Sequence, residues 1–432
     1  MPKRSIAIIG GGMAGLASAA TLVKQGQQVT VFEASAFLGG RARGIEYQGT
    51  RIDNGQHILL GAYSETLKLL KLAGVNEQQC LTRLPLTLHV KDLLNSQAFN
   101  LMANPLLPAP LHILVGLLSA GGVTLCEKFS AIRFMAWMRL NQFKLKQDQP
   151  LAALLKTHQQ SPRLIQFLWE PLCLAALNTP LSIASAQVFL NVLRDSFSKK
   201  KSDADVLLAR VDLSDLISKP IAHYIRQNGG FIHTSTPITH ITQNEDGYLL
   251  HCNEITHTFS HVIFACGPHQ LSQFANTLPS IAQLTDHFNY QPITTIYLQY
   301  PNDTKLPLPM IGSVNSLSQW IFDRGQICGQ DGLIAVVISA HQPFKYAHQE
   351  LAELISKELL TLFPNLGQHT WHKVITEKRA TFSCNSALTR PVNTTPYPNL
   401  YLAGDFTKGD YPATIEGAVR SGIYAAKLIS KD

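Results

Sequence analysis

Apolar residues arrive in short blocks near the start of this chain. Ile6 to Ile9 is one such block, glycines follow, and a helix-like stretch runs from Leu16 to Lys24. A second apolar block spans Gln28 to Phe32, and Glu33 ends it. Short apolar runs bounded by turn residues predict buried strands, so the order predicts a β-α-β unit. In mid-chain, Pro220 to Asn228 predicts a helix closed by Gly229-Gly230. FIHTSTPITHITQNEDGYLLHC then reads as strands with a tight turn at Glu245-Asp246-Gly247, and HVIFACGP as a buried strand stopping at Gly267-Pro268. The tail reads YLAGDFTKGDYPATIEGAVRSG. An apolar run stops at Gly404-Asp405, a polar loop follows, and a helix is predicted from Pro412 as its first residue. That helix has no bulky face, so its small residues imply close approach to something.

The first block carries chemistry. Gly10, Gly12 and Gly15 match G-x-G-x-x-G, and Met13 and Ala14 between them are expected to bind the cofactor too. Gly10 lets the chain turn off the strand, Gly12 leaves room for a pyrophosphate, and Gly15 lets helix and strand pack tightly. The helix N-terminus offers free N–H groups and a partial positive charge to phosphates. Glu33 sits about 20 positions on, where a carboxylate accepts from ribose hydroxyls. Its charge opposes a 2′-phosphate, which disfavours NADP at this site. The expectation is a bound dinucleotide.

The next stretch, ASAFLGGRARG, holds Gly39-Gly40 followed by Arg41 and Arg43. It resembles the flavoprotein pattern of amine oxidases and carotenoid desaturases, in which Gly40 and Arg41 approach the pyrophosphate. That resemblance implies FAD and gives the tail a role. Gly404-Asp405 would face the ribityl chain, and the last helix would point Ala413 and Thr414 at the flavin ring, with Gly417 and Ala418 allowing close approach. It also places Ile238 against the adenine and Gly267 where a strand returns to the cofactor. The implied architecture is α/β: a discontinuous Rossmann-like FAD-binding domain of the glutathione-reductase/amine-oxidase type (1–75, 214–275 and 385–432). A mixed α+β substrate domain with a helical cap (76–213 and 276–384) completes it. No second fingerprint follows a strand, so an NAD(P)H domain of the disulfide-reductase kind is not expected.

Composition adds limits. Of 432 residues, 45% are hydrophobic and only 15% charged, with a formal net charge of +7. The surplus suits an anionic cofactor or membrane surface, while Lys and Arg are too scattered for a nucleic-acid stripe. Lys199-Lys200-Lys201 reads as a solvated loop. Seven dispersed cysteines without CxxC predict reduced thiols in a cytoplasmic protein. The first apolar run leads straight into the glycine loop, so a cleaved signal peptide is not expected. From Leu93 to Cys126 there is no Asp, Glu, Lys or Arg. Its core, LHILVGLLSAGGVTLC, is shorter than the roughly 20 residues a spanning helix needs. A buried cap helix and a lipid-facing or tunnel-lining helix both remain open.

Asp53, Asn54, Gln56 and His57 lie among apolar residues in RIDNGQHILLGAY. His57 reads as a proton donor or a packed core histidine, and Asp53 as a second acid or a partner for Arg51 or Arg41. Cys266 and Cys384 lack the context of covalent flavin attachment, so noncovalent FAD is expected. No metal is called for. DNGQHILLGAY, WEPLCLAALNTP from Trp169, EKRATFSC from Glu377 and the tail together resemble the squalene-associated FAD-dependent desaturase family, also called hydroxysqualene dehydroxylase. Phe406 departs from the commoner tryptophan after Gly-Asp. The resemblance implies reduction of hydroxysqualene to squalene for hopanoid or related triterpene synthesis. For that chemistry His57 is the first candidate acid and Asp53 the second, with Trp169, Phe406 and Tyr411 as candidate π-face stabilisers. The resemblance implies an external reductant such as NADPH, a peripheral place on the inner membrane, and prenyl-synthase partners. The rival readings are a carotenoid (phytoene-type) desaturase, an amine oxidase, and a non-catalytic flavin-bearing scaffold for prenyl synthases.

Overall fold

Short apolar runs with buried positions on both sides can satisfy their backbone only beside other strands, and a parallel sheet results. In the computed structural model the described residues are 4–430, apart from 96, 198, 253, 254 and 343. Five strands form one parallel sheet in the order Phe231–His233, Gln28–Phe32, Ser5–Ile9, His261–Phe264, Leu400–Leu402. Alternate residues then divide between two faces. Ile6, Ile8, Val29, Val31 and Ile263 pack against helices Met13–Lys24, Lys219–Gln227 and Ile415–Ile429. Ala7, Ile9, Phe32, Val262 and Phe264 face the other way. There an antiparallel meander covers them: His240–Asn244, Gly247–Cys252 and Ile255–Phe259.

A seven-stranded sheet makes the second layer. Its order is Trp371–Phe382, Tyr290–Gln299, Leu333–Ser339, Trp320–Asp323, Met310–Val314, Thr87–Asp92, Ala98–Met102. One face carries Ile296, Leu298, Val336 and Ile338 against the His348–Leu362 helix. The opposite face carries Tyr297, Ala335 and Val337. Helices Leu111–Ser119, Leu125–Leu140, Leu151–Thr157, Glu170–Leu177 and Ala186–Phe197 form a cap.

Several expectations change here. The fingerprint helix starts at Met13, with Gly12 as its N-cap. The last helix starts at Ile415 rather than Pro412, because the Thr414 side chain caps it by accepting from Gly417 N–H at 3.1 Å. Its small residues mostly meet protein. A Cβ on Gly422 would lie 2.2 Å from the Ala14 carbonyl, and Ser18 Oγ donates to Gly422 O at 3.0 Å. The bulk-free face is therefore a helix–helix contact, with Ala418 buried in it. The uncharged stretch forms the Leu111–Ser119 helix, which buries His112, Ile113, Gly116 and Leu117. Leu106, Leu111 and Leu118 stay exposed. Among the described residues no helix is long and apolar enough to cross a membrane.

Candidate functional site: a glycine cradle beneath the seven-stranded sheet

Gly10 has φ +114°, and a Cβ there would meet the Ala265 carbonyl at 2.6 Å. The loops after the Ser5–Ile9 and His261–Phe264 strands thus touch, which brings Gly267 to the same edge of the sheet. A Cβ on Gly15 would overlap the Gly10 carbonyl at 1.9 Å. Gly12 is different: a Cβ there would meet nothing within 4 Å. Gly39 N–H donates to Gly11 O at 2.9 Å, and a Cβ on Gly40 would lie 3.4 Å from Gly12 Cα. The second glycine pair therefore folds back over the first, leaving an open cradle at Gly12.

The groups around that cradle suit a dinucleotide. Glu33 accepts from Gly11 N–H at 2.7 Å and Ser35 N–H at 2.8 Å, which aims its carboxylate across the loop. Thr236 N–H donates to Glu33 O, so the loop carrying the buried Ile238 runs alongside. Arg41 bonds Asp405 at 2.7 Å and the Ala380 carbonyl at 2.7 Å, uniting the two segments expected to meet. Arg43 Nε is buried without a hydrogen-bond partner among the described residues. An unpartnered guanidinium N–H and an open glycine cradle both fit a flavin dinucleotide with its pyrophosphate. Ala413 precedes the Thr414 cap, and the helix it opens is anchored by Glu416. That buried carboxylate accepts from Glu65 N–H, Thr66 N–H and Thr66 Oγ1, and pairs with Arg420 at 2.6 Å.

The 53–57 segment runs from this cradle to the face of the seven-stranded sheet that holds Tyr297. Tyr297 donates its hydroxyl to the Asp53 carbonyl at 3.0 Å. Asp53 Oδ1 accepts from Leu213 N–H at 2.8 Å, and Oδ2 lies 3.7 Å from Arg324 Nη1. The expected pairings of Asp53 with Arg51 or Arg41 are corrected: Arg51 pairs with Asp212 and Arg41 with Asp405. Arg324 is 2% exposed and also donates to Gln56 Oε1 at 2.7 Å. Burial pushes the Asp53 carboxyl up to about 6, against the pull of Arg324 and the Leu213 N–H. Its carboxyl is turned toward those two groups, so it holds the segment in place.

Of the two readings of His57, the packed histidine has a hydrogen-bond partner in the structure. Its Nδ1 sits 2.7 Å from the Gly55 carbonyl, which can only accept, so Nδ1 carries the hydrogen. Burial pushes its pKa below the usual histidine value, with the Gly55 bond opposing and Arg41 adding to the fall. Burial thus favours the neutral ring, in which Nε2 accepts.

The three expected π faces do not share one wall. Trp169 is 3% exposed, donates to Gln160 Oε1 at 2.9 Å and stands edge-on to Phe134 and Phe189 in the cap interior. Phe406 packs on Gly404, where a Cβ would meet its ring at 2.3 Å, and on Phe288. Tyr411 donates to Asp195 at 2.7 Å beneath the Arg420 guanidinium, linking the tail loop to the cap. The loop is pinned from below by Arg390, which donates to the Tyr411 carbonyl at 2.7 Å and to the Gly409 carbonyl. Arg324, Arg390, Tyr297 and Thr295 were absent from the sequence reading. No local spacing marks them: Arg324, Arg390 and Tyr297 reach partners in other segments, and Thr295 has no hydrogen-bond partner among the described residues.

Comparison with known proteins places this geometry. The family model for flavin containing amine oxidoreductases matches residues 13–430. A hydroxysqualene dehydroxylase of Zymomonas mobilis is 27% identical over 98% of this chain and 98% of its own. A zeta-carotene desaturase of Solanum lycopersicum is 23% identical over 99% of this chain and 81% of its own. An oxidoreductase structure from Methanosarcina mazei superposes with a TM-score of 0.77 at 18% identity, covering 98% of this chain and 100% of that one. The glycine cradle, the returning tail and the match along almost the whole chain give one answer: this protein belongs to the flavin containing amine oxidoreductase family and is an FAD-dependent oxidoreductase.

Proposed function

We propose that the chain removes the hydroxyl group of hydroxysqualene and releases squalene, in a route to hopanoids or related triterpenes. The observation that supports this reading most is end-to-end similarity to hydroxysqualene dehydroxylases, at higher identity than to the tomato carotene desaturase. The overall change consumes the allylic alcohol, one hydride and one proton, and yields the hydrocarbon and water. Reduced FAD, when bound, would supply the hydride, and an external reductant such as NADPH would return the flavin to its reduced form. The cofactor is held without a covalent bond by residues 1–75, 214–275 and 385–432, and residues 76–213 and 276–384 enclose the substrate. Gly10, Gly12, Gly15, Gly40 and Arg41 take the pyrophosphate, Glu33 the ribose, Ile238 the adenine, and Asp405 and Thr414 the flavin end. Burial pushes the Cys266 and Cys384 thiols up to about 12, which keeps them protonated and unsuited to attack. The 53–57 segment and the sheet above it keep water from the reacting carbon. Anaerobic mixing of photoreduced enzyme with hydroxysqualene tests the reading. The flavin colour should return as squalene forms. No colour change, with zeta-carotene instead desaturated in the presence of an acceptor, would hand the site to the desaturase reading.

The substrate's oiliness gives the cap a second task. Leu106, Leu111, Leu118, Leu125, Phe129 and Leu140 are exposed, and Lys128, Arg133 and Arg139 share the longer helix. Of the acidic residues only Glu127 interrupts 93–147. An apolar stripe with basic flanks suits the anionic inner membrane from the cytoplasmic side. Prenyl synthases making the substrate are partners we propose at the same surface. Leu125→Asp with Phe129→Asp should weaken sedimentation with phosphatidylglycerol vesicles by about tenfold per residue, since each apolar side chain contributes roughly 1.5–3 kcal/mol on burial. Thermal stability should stay constant, because both side chains are already in water. Unchanged vesicle binding would remove the stripe from consideration.

A further inference from the structure

Thr294 and Thr295 stand side by side in the Tyr290–Gln299 strand, and their hydroxyls meet opposite fates. Thr294 Oγ1 bonds His341 Nε2 at 2.9 Å and Thr376 Oγ1 at 2.8 Å. Thr295 is 1% exposed, and its Oγ1 is shielded from water with no hydrogen-bond partner among the described residues. Strand side chains alternate, so Thr295 shares its face with Tyr297, which grips the Asp53 carbonyl. That face looks onto the 53–57 segment. The point a Cβ on Gly55 would occupy lies 3.5 Å from Thr295 Oγ1 and 3.9 Å from His57 Cε1. Beyond Gly55's chain neighbours, no other atom of the described residues comes within 4 Å of it. An unsatisfied hydroxyl and the edge of the His57 ring therefore stand around the space that a methyl group on Gly55 would fill.

An orphaned buried hydroxyl destabilises the protein that carries it, and valine would fill the same volume without that cost. Such unsatisfied groups point to a ligand that completes them. We propose that Thr295 is the residue that recognises the leaving hydroxyl of the substrate, holding the alcohol oxygen over Gly55 by a hydrogen bond from its Oγ1. This rests on the dehydroxylase reading and assigns the contact that reading lacks. It has a consequence for turnover. Squalene carries no oxygen, so the product leaves Thr295 unpartnered again. A site built to bond a hydroxyl discriminates against the analogue without one, and product release is favoured by the same contact that orients the substrate.

The test compares two ligands on the oxidised holoenzyme, where no turnover occurs. Hydroxysqualene and squalene are titrated separately from detergent micelles, and binding is read from the perturbation of the flavin spectrum. Wild type should bind the alcohol at least about tenfold more tightly than the hydrocarbon. Thr295→Val should erase most of that preference, leave squalene binding unchanged, and leave the melting temperature equal or higher. Thr295→Ser should restore the preference. Gly55→Ala, which sets a methyl group against the hydroxyl, should weaken the alcohol selectively. A Thr295→Val protein that keeps the preference, loses affinity for both ligands equally, or melts lower would overturn the proposal, as would a wild type without any preference. Failure of the dehydroxylase reading shows itself separately, as a wild type that does not convert hydroxysqualene.

Discussion

Gly12→Ala is expected to leave the apoprotein folded and to strip it of flavin. Gly12 occupies ordinary backbone space for an L-residue, with φ −78° and ψ −173°, so alanine adds no strain. Its Cβ would meet no described residue within 4 Å beyond its two chain neighbours. The same methyl group would stand in the path of the pyrophosphate, where the dinucleotide fingerprint needs bare backbone. A loss of about 100-fold in FAD affinity, or ~2.7 kcal/mol, is the expected scale. Fluorescence titration of apoprotein with FAD measures the affinity, and the melting temperature without cofactor reads the fold. Gly15→Ala is the contrasting variant. Its methyl group would overlap the Gly10 carbonyl at 1.9 Å, so both fold and flavin should suffer. If Gly12→Ala bound FAD as wild type does, the open cradle would not be the pyrophosphate site.

Arg324→Met should cost about 3–5 kcal/mol of stability, the usual result of leaving one member of a buried ion pair alone. Arg324 is almost sealed from solvent, lies 3.7 Å from the Asp53 carboxylate and bonds Gln56 and Gln330. Methionine keeps much of its volume and none of its charge. Asp53 then faces burial without its nearest cation. Adding Asp53→Asn to Arg324→Met should recover a large part of the loss, because asparagine can still accept from Leu213 N–H. Urea unfolding of both variants reads the effect, and full additivity of the two changes would deny the coupling.

The same pair sets a pH dependence. Asp53 has a pKa of 3.8 when unfolded and about 6 in the folded protein. Its folded form therefore holds a proton that the unfolded chain has already lost. The contribution is fully present below pH 4 and is lost as pH rises through about 6, on the order of 3 kcal/mol in all. Wild type minus Asp53→Asn should show that fall between pH 4 and 6. A flat difference curve would mean that burial does not perturb this carboxyl.

How much of this was legible in one dimension depended on the range of the interaction. The Thr414 cap could have been read, since threonine is a good N-cap, but Pro412 offered a competing start signal two residues earlier. Trp169 looked like a pocket wall because an aromatic residue in a specific motif carries no mark of which side it faces. In three dimensions the cap helices close around it and Gln160 takes its N–H.

The amino-acid order alone determined the β-α-β unit, the glycine cradle and the need for a returning tail. The unit and its glycine loop depend on near neighbours in the chain and on backbone space that only glycine leaves open, while the tail's role follows from the family resemblance of its motif. Tertiary structure alone decided that Arg324, not Arg51 or Arg41, answers Asp53. It also decided that burial lowers the His57 pKa against the pull of the Gly55 carbonyl, and that Thr295 faces Gly55 without a hydrogen-bond partner among the described residues. Desolvation and partner choice depend on what packs around a group, and the packing here comes from strands hundreds of positions away.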